Sequence, residues 1–190
     1  MLPTPPTLHV VGTEMVVGAF ALSGACFLLS VLCVMNIWKF ELLIKKADTI
    51  AHGALVFGLL ATPLAIFSGI QSSPGDDVQS SILATKLFLS MSGIGLAIAV
   101  LMVRKKFGFE VWSNMKSAVA HASIGMTAVG TILLTASLGG RFSRGESLLD
   151  FAHLPYDTLF LAPMWFSIIL LGIGIANIVM YFRTSSAVEH

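Results

Sequence analysis

Charge is what this chain has least of. Asp, Glu, Lys and Arg together make up 11% of its 190 residues, against about 25% in an ordinary soluble domain. Hydrophobic residues reach 56% and the mean hydropathy is +0.89, so a water-soluble globule is excluded and an integral membrane protein is expected. Cysteine is scarcer still. Cys26 and Cys33 stand in one apolar run, and seven helical residues separate them by ~10 Å, too far for a disulfide. No C-x-x-C-H occurs, which excludes covalently attached c-type haem, and no cysteine cluster suggests zinc or iron–sulfur. Nucleophile–base pairs, paired carboxylates and phosphate loops are also missing, so hydrolase and kinase chemistry has no support. The net charge of +1 gives no reason to expect nucleic acid as a partner. The opening residues MLPTPPTLHVVGTE lack a basic stretch and do not read as a cleavable signal peptide.

What the chain does have is long apolar runs. Five are long enough to cross a hydrocarbon core of ~30 Å, which takes about 20 helical residues. They fall near 15–38, 49–70, 82–103, 117–138 and 158–182. None alternates apolar with polar at period two, so helices are expected rather than a barrel. The fold class is therefore all-α integral membrane with five transmembrane helices in a single domain, 1–190. Pro63 and Pro163 fall inside two spans, which membrane helices tolerate when neighbours satisfy the freed carbonyls.

The basic residues lie on one side. Lys39, Lys45 and Lys46 follow the first span, Arg104, Lys105, Lys106 and Lys116 follow the third, and Arg183 follows the fifth. The other side has Arg141 and Arg144, with Lys86 just inside the third span. By the positive-inside rule the N-terminus is outside and the C-terminus in the cytoplasm of a cell membrane.

Two stretches of the chain resemble one another, and each holds one intramembrane histidine. Ala51-His52 is followed by Thr62, Leu64 and Ser68; at an offset of 69 (121 − 52), Ala120-His121 is followed by Thr131, Leu133 and Ser137. The next spans match too, Gly93-Ile-Gly-Leu-Ala97 against Gly172-Ile-Gly-Ile-Ala176, at an offset of 79 (172 − 93). Repeat A thus covers 49–106 and repeat B 117–183, and helices two to five are expected to form a four-helix bundle built from a duplicated helix pair. Helices two and four would share one diagonal, and Gly93, Gly95, Gly172 and Gly174 would let three and five pack closely. The duplication places His52 and His121 at equal depth, about one turn inside the cytoplasmic ends of their helices. An ionisable side chain there is a functional candidate by default, although a lone histidine near an interface usually only snorkels.

With this topology and these two histidines, residues 49–183 resemble the four-helix membrane cytochromes of b type. In that family one histidine from each of two diagonal helices clamps haem. The resemblance implies that His52 and His121 are the axial ligands of one haem b, leaving no position for oxygen and pointing to electron transfer. Ile66 and Thr135 stand where a second pair of ligands would be needed, so one haem is expected, not two. Leu55, Val56 and Leu59 on one helix and Ile124, Gly125 and Ala128 on the other would wall the macrocycle. Lys45, Lys46, Arg104 and Lys116 lie at a depth suited to propionates.

The remaining candidates are weaker. His153 stands between Asp150 and Asp157 in the loop 139–157, with His9 and Glu14 on the same side, and mixed nitrogen and oxygen ligands suit copper or zinc; an ordinary solvated loop is the favoured reading. Asn36 and Asn177 are placed to bond across helices, Met126 and Met180 are unneeded as ligands, and 106–115 has the pattern of an interfacial stretch. The expected function is a membrane subunit that binds one haem b and passes electrons within a larger respiratory or redox complex, to or from quinone. Its partners would be other membrane subunits and lipid. The alternative is a cofactor-free accessory subunit that braces such a complex. A proton or solute carrier ranks third, because no carboxylate lies in mid-span.

Overall fold

Two prolines open the first helix. Pro5 and Pro6 occupy its first positions, where a missing N–H is harmless, and Thr4 before them is extended. The computed structural model describes residues 4–35, 41–72, 81–147 and 150. Within them the chain forms α1 (Pro5–Val34), α2 (Glu41–Ser72), α3 (Ser81–Phe107), a short 3-10 helix (Gly108–Trp112) and α4 (Met115–Arg144). The described residues contain helices, turns and short connections, and no strand. Four stretches, Pro5–Val34, Leu42–Ser72, Ile82–Trp112 and Met115–Arg144, are long and apolar enough to cross a membrane. All described residues belong to one unit, Met1–Thr158. The fifth expected span lies outside them, and with it Gly172, Gly174, Asn177, Met180 and the second half of repeat B; Asn36 lies outside them too.

Helices α2, α3 and α4 run past both limits expected from hydropathy, while α1 begins earlier, at Pro5, and ends at Val34, short of the expected 38. No helix breaker stands between Glu41 and Ile50, so α2 begins early and takes up Lys45 and Lys46. At the end of α3, Arg104, Lys105 and Lys106 are helical as well, where their charge complements the negative end of the helix dipole. Gly108, at φ +60°, then turns the chain. The 3-10 helix follows and tucks Val111 and Trp112 back into the interior. Asn114 starts α4 by accepting the Ser117 N–H at 2.9 Å. That helix continues through Gly139 and Gly140 to Arg144, and stops at Gly145, whose φ of +77° favours glycine.

Helix one occupies the centre of the described residues. It packs most extensively on α2 and also on α4, while α3 packs mainly on α4. Glycines set these approaches. A Cβ on Gly58 of α2 would lie 2.8 Å from the Phe20 ring, and one on Gly12 of α1 would lie 3.0 Å from the Ala65 nitrogen of α2. On the other flank Gly24 meets Val129 of α4. Gly93 of α3 packs against Thr131 and Ile132 of α4, whereas a Cβ on Gly95 would meet open space. Gly93 therefore serves the α3–α4 contact, and the contact expected with helix five lies outside the described residues. Phe20, Phe27 and Leu55 are fully buried at the middle of this packing. The outward faces are apolar too: Leu60, Phe67 and Ile70 on α2 and Leu87, Phe88 and Met91 on α3 are exposed. Helices apolar on all sides suit hydrocarbon as their solvent.

Candidate functional site

Helices α2 and α4 are joined at the two histidines. His52 Nε2 and His121 Nε2 are 3.0 Å apart, with ring centroids at 5.2 Å and ring planes 20° apart. The pair is buried: His52 is 9% exposed and His121 3%. Phe27 of α1 lies edge-on to both rings, at centroid distances of 5.4 Å from His52 and 5.8 Å from His121. Trp112 lies edge-on to His121 at 5.5 Å. Gly125 is essential to this arrangement, because a Cβ there would stand 2.5 Å from the Phe27 ring.

Beside the pair lies a charge cluster centred on Asp48, one turn before His52 on α2. Asp48 is only 1% exposed. Its carboxylate accepts from Arg104 Nη2 at 2.7 Å, from Arg104 Nε at 2.9 and 3.0 Å, and from Trp112 Nε1 at 2.7 Å. Its main-chain carbonyl lies 2.7 Å from His52 Nδ1, and its carboxylate 3.2 Å from the same nitrogen. One residue thus links α2, α3 and the 3-10 helix and reaches the histidine pair. On the far side, His121 Nδ1 is buried without a hydrogen-bond partner among the described residues, as is Ser23 Oγ.

Of the residues singled out from sequence, the structure brings together His52, His121 and Gly125, with Leu55 and Ala128 buried nearby. Val56 and Ile124 are exposed instead, 45% and 39%, so they do not wall the pair; helical spacing alone had grouped them with it. Arg104 is engaged by Asp48 rather than held out for a propionate. Lys45 and Lys46 are exposed and line an open depression with Thr49 and Ile50, and the Lys45 ammonium lies 5.7 Å above the Phe109 ring. Lys116 is exposed in the first turn of α4, and Met126 points away at 40% exposure.

Sequence reasoning missed Asp48, Trp112 and Phe27. The spacing Asp48–His52, i to i+4 on one helix, was a legible signal. It was overlooked because Asp48 sits among lysines at the end of an apolar run. The repeat gave no help, because its counterpart at the same offset is Ser117 (48 + 69), which has no carboxylate.

The outer candidate metal group is not assembled among the described residues. His9 Nδ1 is 2.8 Å from the Ala65 carbonyl of α2, with its ring against Gly69. Asp150 accepts from the Ser147 N–H at 2.7 Å and lies 3.5 Å from Arg141. His153 and Asp157 lie outside the described residues. No group of three His, Cys, Asp or Glu side chains is arranged to hold a metal ion among the described residues. Comparison with protein-family models, with characterised proteins and with solved structures gives no match, so the site is read from its own geometry.

Proposed function

We propose that the histidine pair is the axial ligand set of one haem b and that the chain passes electrons within a larger membrane complex. The observation that carries this reading is the head-on approach of two imidazole Nε2 atoms, at 3.0 Å, from separate helices in a buried setting. Two neutral imidazoles are the donor set a low-spin haem iron takes, and when bound the group supplies one-electron chemistry. The donors fit by element, number and convergence. Their spacing is that of a closed pair: the rings bond each other at 3.0 Å and Phe27 packs against both, so the pair would have to open to admit the group. His52 and His121 would hold the group, Gly125 would keep the α4 backbone low beside it, and Lys45, Lys46 and Lys116 are the basic residues at the rim. Arg104 would act through Asp48. Partners of this reading are other membrane subunits, lipid and a quinone, with the N-terminus outside and the C-terminus in the cytoplasm of the cell membrane.

A second reading is a cofactor-free accessory subunit, and one observation favours it. The histidines already hydrogen-bond each other directly, and Phe27 packs both rings. One measurement separates the two. A reduced-minus-oxidised spectrum with a pyridine haemochrome assay, on protein purified in mild detergent, is expected to show about one haem b per chain. His52→Ala and His121→Ala should each abolish the low-spin spectrum. Well-folded protein made with haem in supply and lacking an α band leaves the accessory reading; full retention of the band in both variants removes the ligand assignment.

A further inference from the structure

Positive charge collects at one end of the described helices. Lys45, Lys46, Arg104, Lys105, Lys106 and Lys116 stand there against Glu41, Asp48 and Glu110, an excess of three positive charges (6 − 3). Arg104 is engaged by Asp48. Lys45 and Lys46 are placed differently: with Thr49 and Ile50 they line an open depression on the outer face of α2. Burial divides that helix into two faces. Asp48, Ala51 and Leu55 are buried, whereas Lys45, Lys46, Thr49, Ile50 and Gly53 are exposed. The depression does not end at Ile50. One turn further, a Cβ on Gly53 would meet nothing within 4 Å, so the helix surface is notched below the lysines. Phe57 and Leu60 continue this face and are exposed at 49% and 75%. A cationic mouth therefore opens onto an apolar furrow that runs toward the middle of α2. The mouth is steadied on one side, because the Lys45 ammonium lies 5.7 Å from the Phe109 ring centroid, a cation–π contact that leaves its N–H groups able to donate. Thr49 gives its hydroxyl proton to the Lys45 carbonyl at 2.9 Å, so the side-chain donors of the depression are the two ammonium groups.

We propose that this depression and its furrow hold one anionic phospholipid, with the phosphate on Lys45 and Lys46 and an acyl chain along Gly53 and Phe57. Charge decides the headgroup. Basic side chains at a membrane surface attract anionic lipid, and a zwitterionic headgroup would bring a cation of its own to the two lysines. The furrow decides that the anion is a lipid. A soluble phosphate would satisfy the lysines and leave the notch at Gly53 unfilled, whereas a phospholipid of net negative charge uses both. The site goes beyond the haem reading and is independent of it, since it lies on the outer face of α2 and needs nothing at the histidine pair.

Native mass spectrometry of the full chain is the test, with protein stripped of lipid in mild detergent and titrated with palmitoyl-oleoyl phosphatidylglycerol or palmitoyl-oleoyl phosphatidylcholine. One phosphatidylglycerol is expected to bind in preference to phosphatidylcholine. Lys45→Ala combined with Lys46→Ala should weaken phosphatidylglycerol on the order of tenfold, whereas Lys105→Ala combined with Lys116→Ala, an equal loss of charge away from the depression, should change it less than about threefold. Gly53→Leu fills the furrow without altering charge and should also weaken phosphatidylglycerol. All of these side chains are exposed, so the variants should melt with the wild type; if the alanine pair unfolds, Lys45→Gln with Lys46→Gln takes its place. Equal weakening by the two lysine pairs would mean diffuse attraction and overturns the site, as does equal binding of the two lipids. Displacement of the lipid by inorganic phosphate, together with no effect of Gly53→Leu, would make a soluble anion the occupant and overturns the lipid. Wild-type protein that retains no phosphatidylglycerol overturns the proposal outright and leaves this face to an acidic segment of a partner helix.

Discussion

At the scale of residues the site depends on one absent methyl group. The Cβ of any residue larger than glycine at 125 would stand 2.5 Å from the Phe27 ring, and Phe27, fully buried, has nowhere to yield without leaving the two imidazoles. Gly125→Ala should therefore lower stability by about 1–3 kcal/mol, the usual range for overpacking a filled interior. Gly95→Ala is the control, because its Cβ enters open space, and it should shift stability by less than about 0.5 kcal/mol. Melting temperatures in one detergent decide this, and equal shifts in the two variants would contradict the packing described. At this scale the histidines were legible in the sequence, because each stands in an apolar run beside similar residues, Ala51-His52 and Ala120-His121. Phe27 was not: it sits on a helix with no polar face, where nothing distinguishes an inward aromatic from one facing lipid.

At the scale of elements, Asp48 holds three together. It joins α2 to α3 through Arg104 and to the 3-10 helix through Trp112. Removing one partner of a buried ion pair costs about 3–5 kcal/mol; the Arg104 side chain is 28% exposed, which places Asp48→Ala at about 3 kcal/mol, the low end of that range. Asp48→Asn keeps an acceptor for Trp112 and should lose less. Denaturant titration of the purified protein, ranking wild type above Asn above Ala, is the check; an Ala variant as stable as wild type would mean the cluster holds nothing together. Helix positions were largely readable, since apolar runs of this length have few alternatives. Helix ends were not. Hydropathy stops at the first lysine, whereas a helix continues until its backbone is broken or capped, as at Gly108, Asn114 and Gly145. The place of α1 was unreadable for a related reason, because a helix apolar on every side does not announce which side packs.

At the scale of the whole molecule the distribution of basic residues is what the proposed orientation rests on. Thr4 lies at the start of α1, and Lys105 at the end of α3 with Arg104 and Lys106. Cys26 and Cys33 are both buried, so the native thiols should give little background to a membrane-impermeant maleimide. Thr4→Cys should label on intact cells, and Lys105→Cys only after permeabilisation. The opposite pattern would invert the topology and place the histidine pair near the outer leaflet.

The packing order also bears on how the molecule is made. Helices α1 and α2 form one closely packed hairpin and α3 and α4 another, with α1 bridging to α4. Each hairpin carries one histidine of the pair, so neither contains the site. As the chain leaves the ribosome the first hairpin can close while the second is still unmade, and the two imidazoles meet only when the hairpins dock. Before docking the gap between them is open to the bilayer; afterwards Phe27 closes it. A flat apolar guest would therefore enter most easily during biogenesis, between two finished hairpins, rather than by prising apart the mature protein.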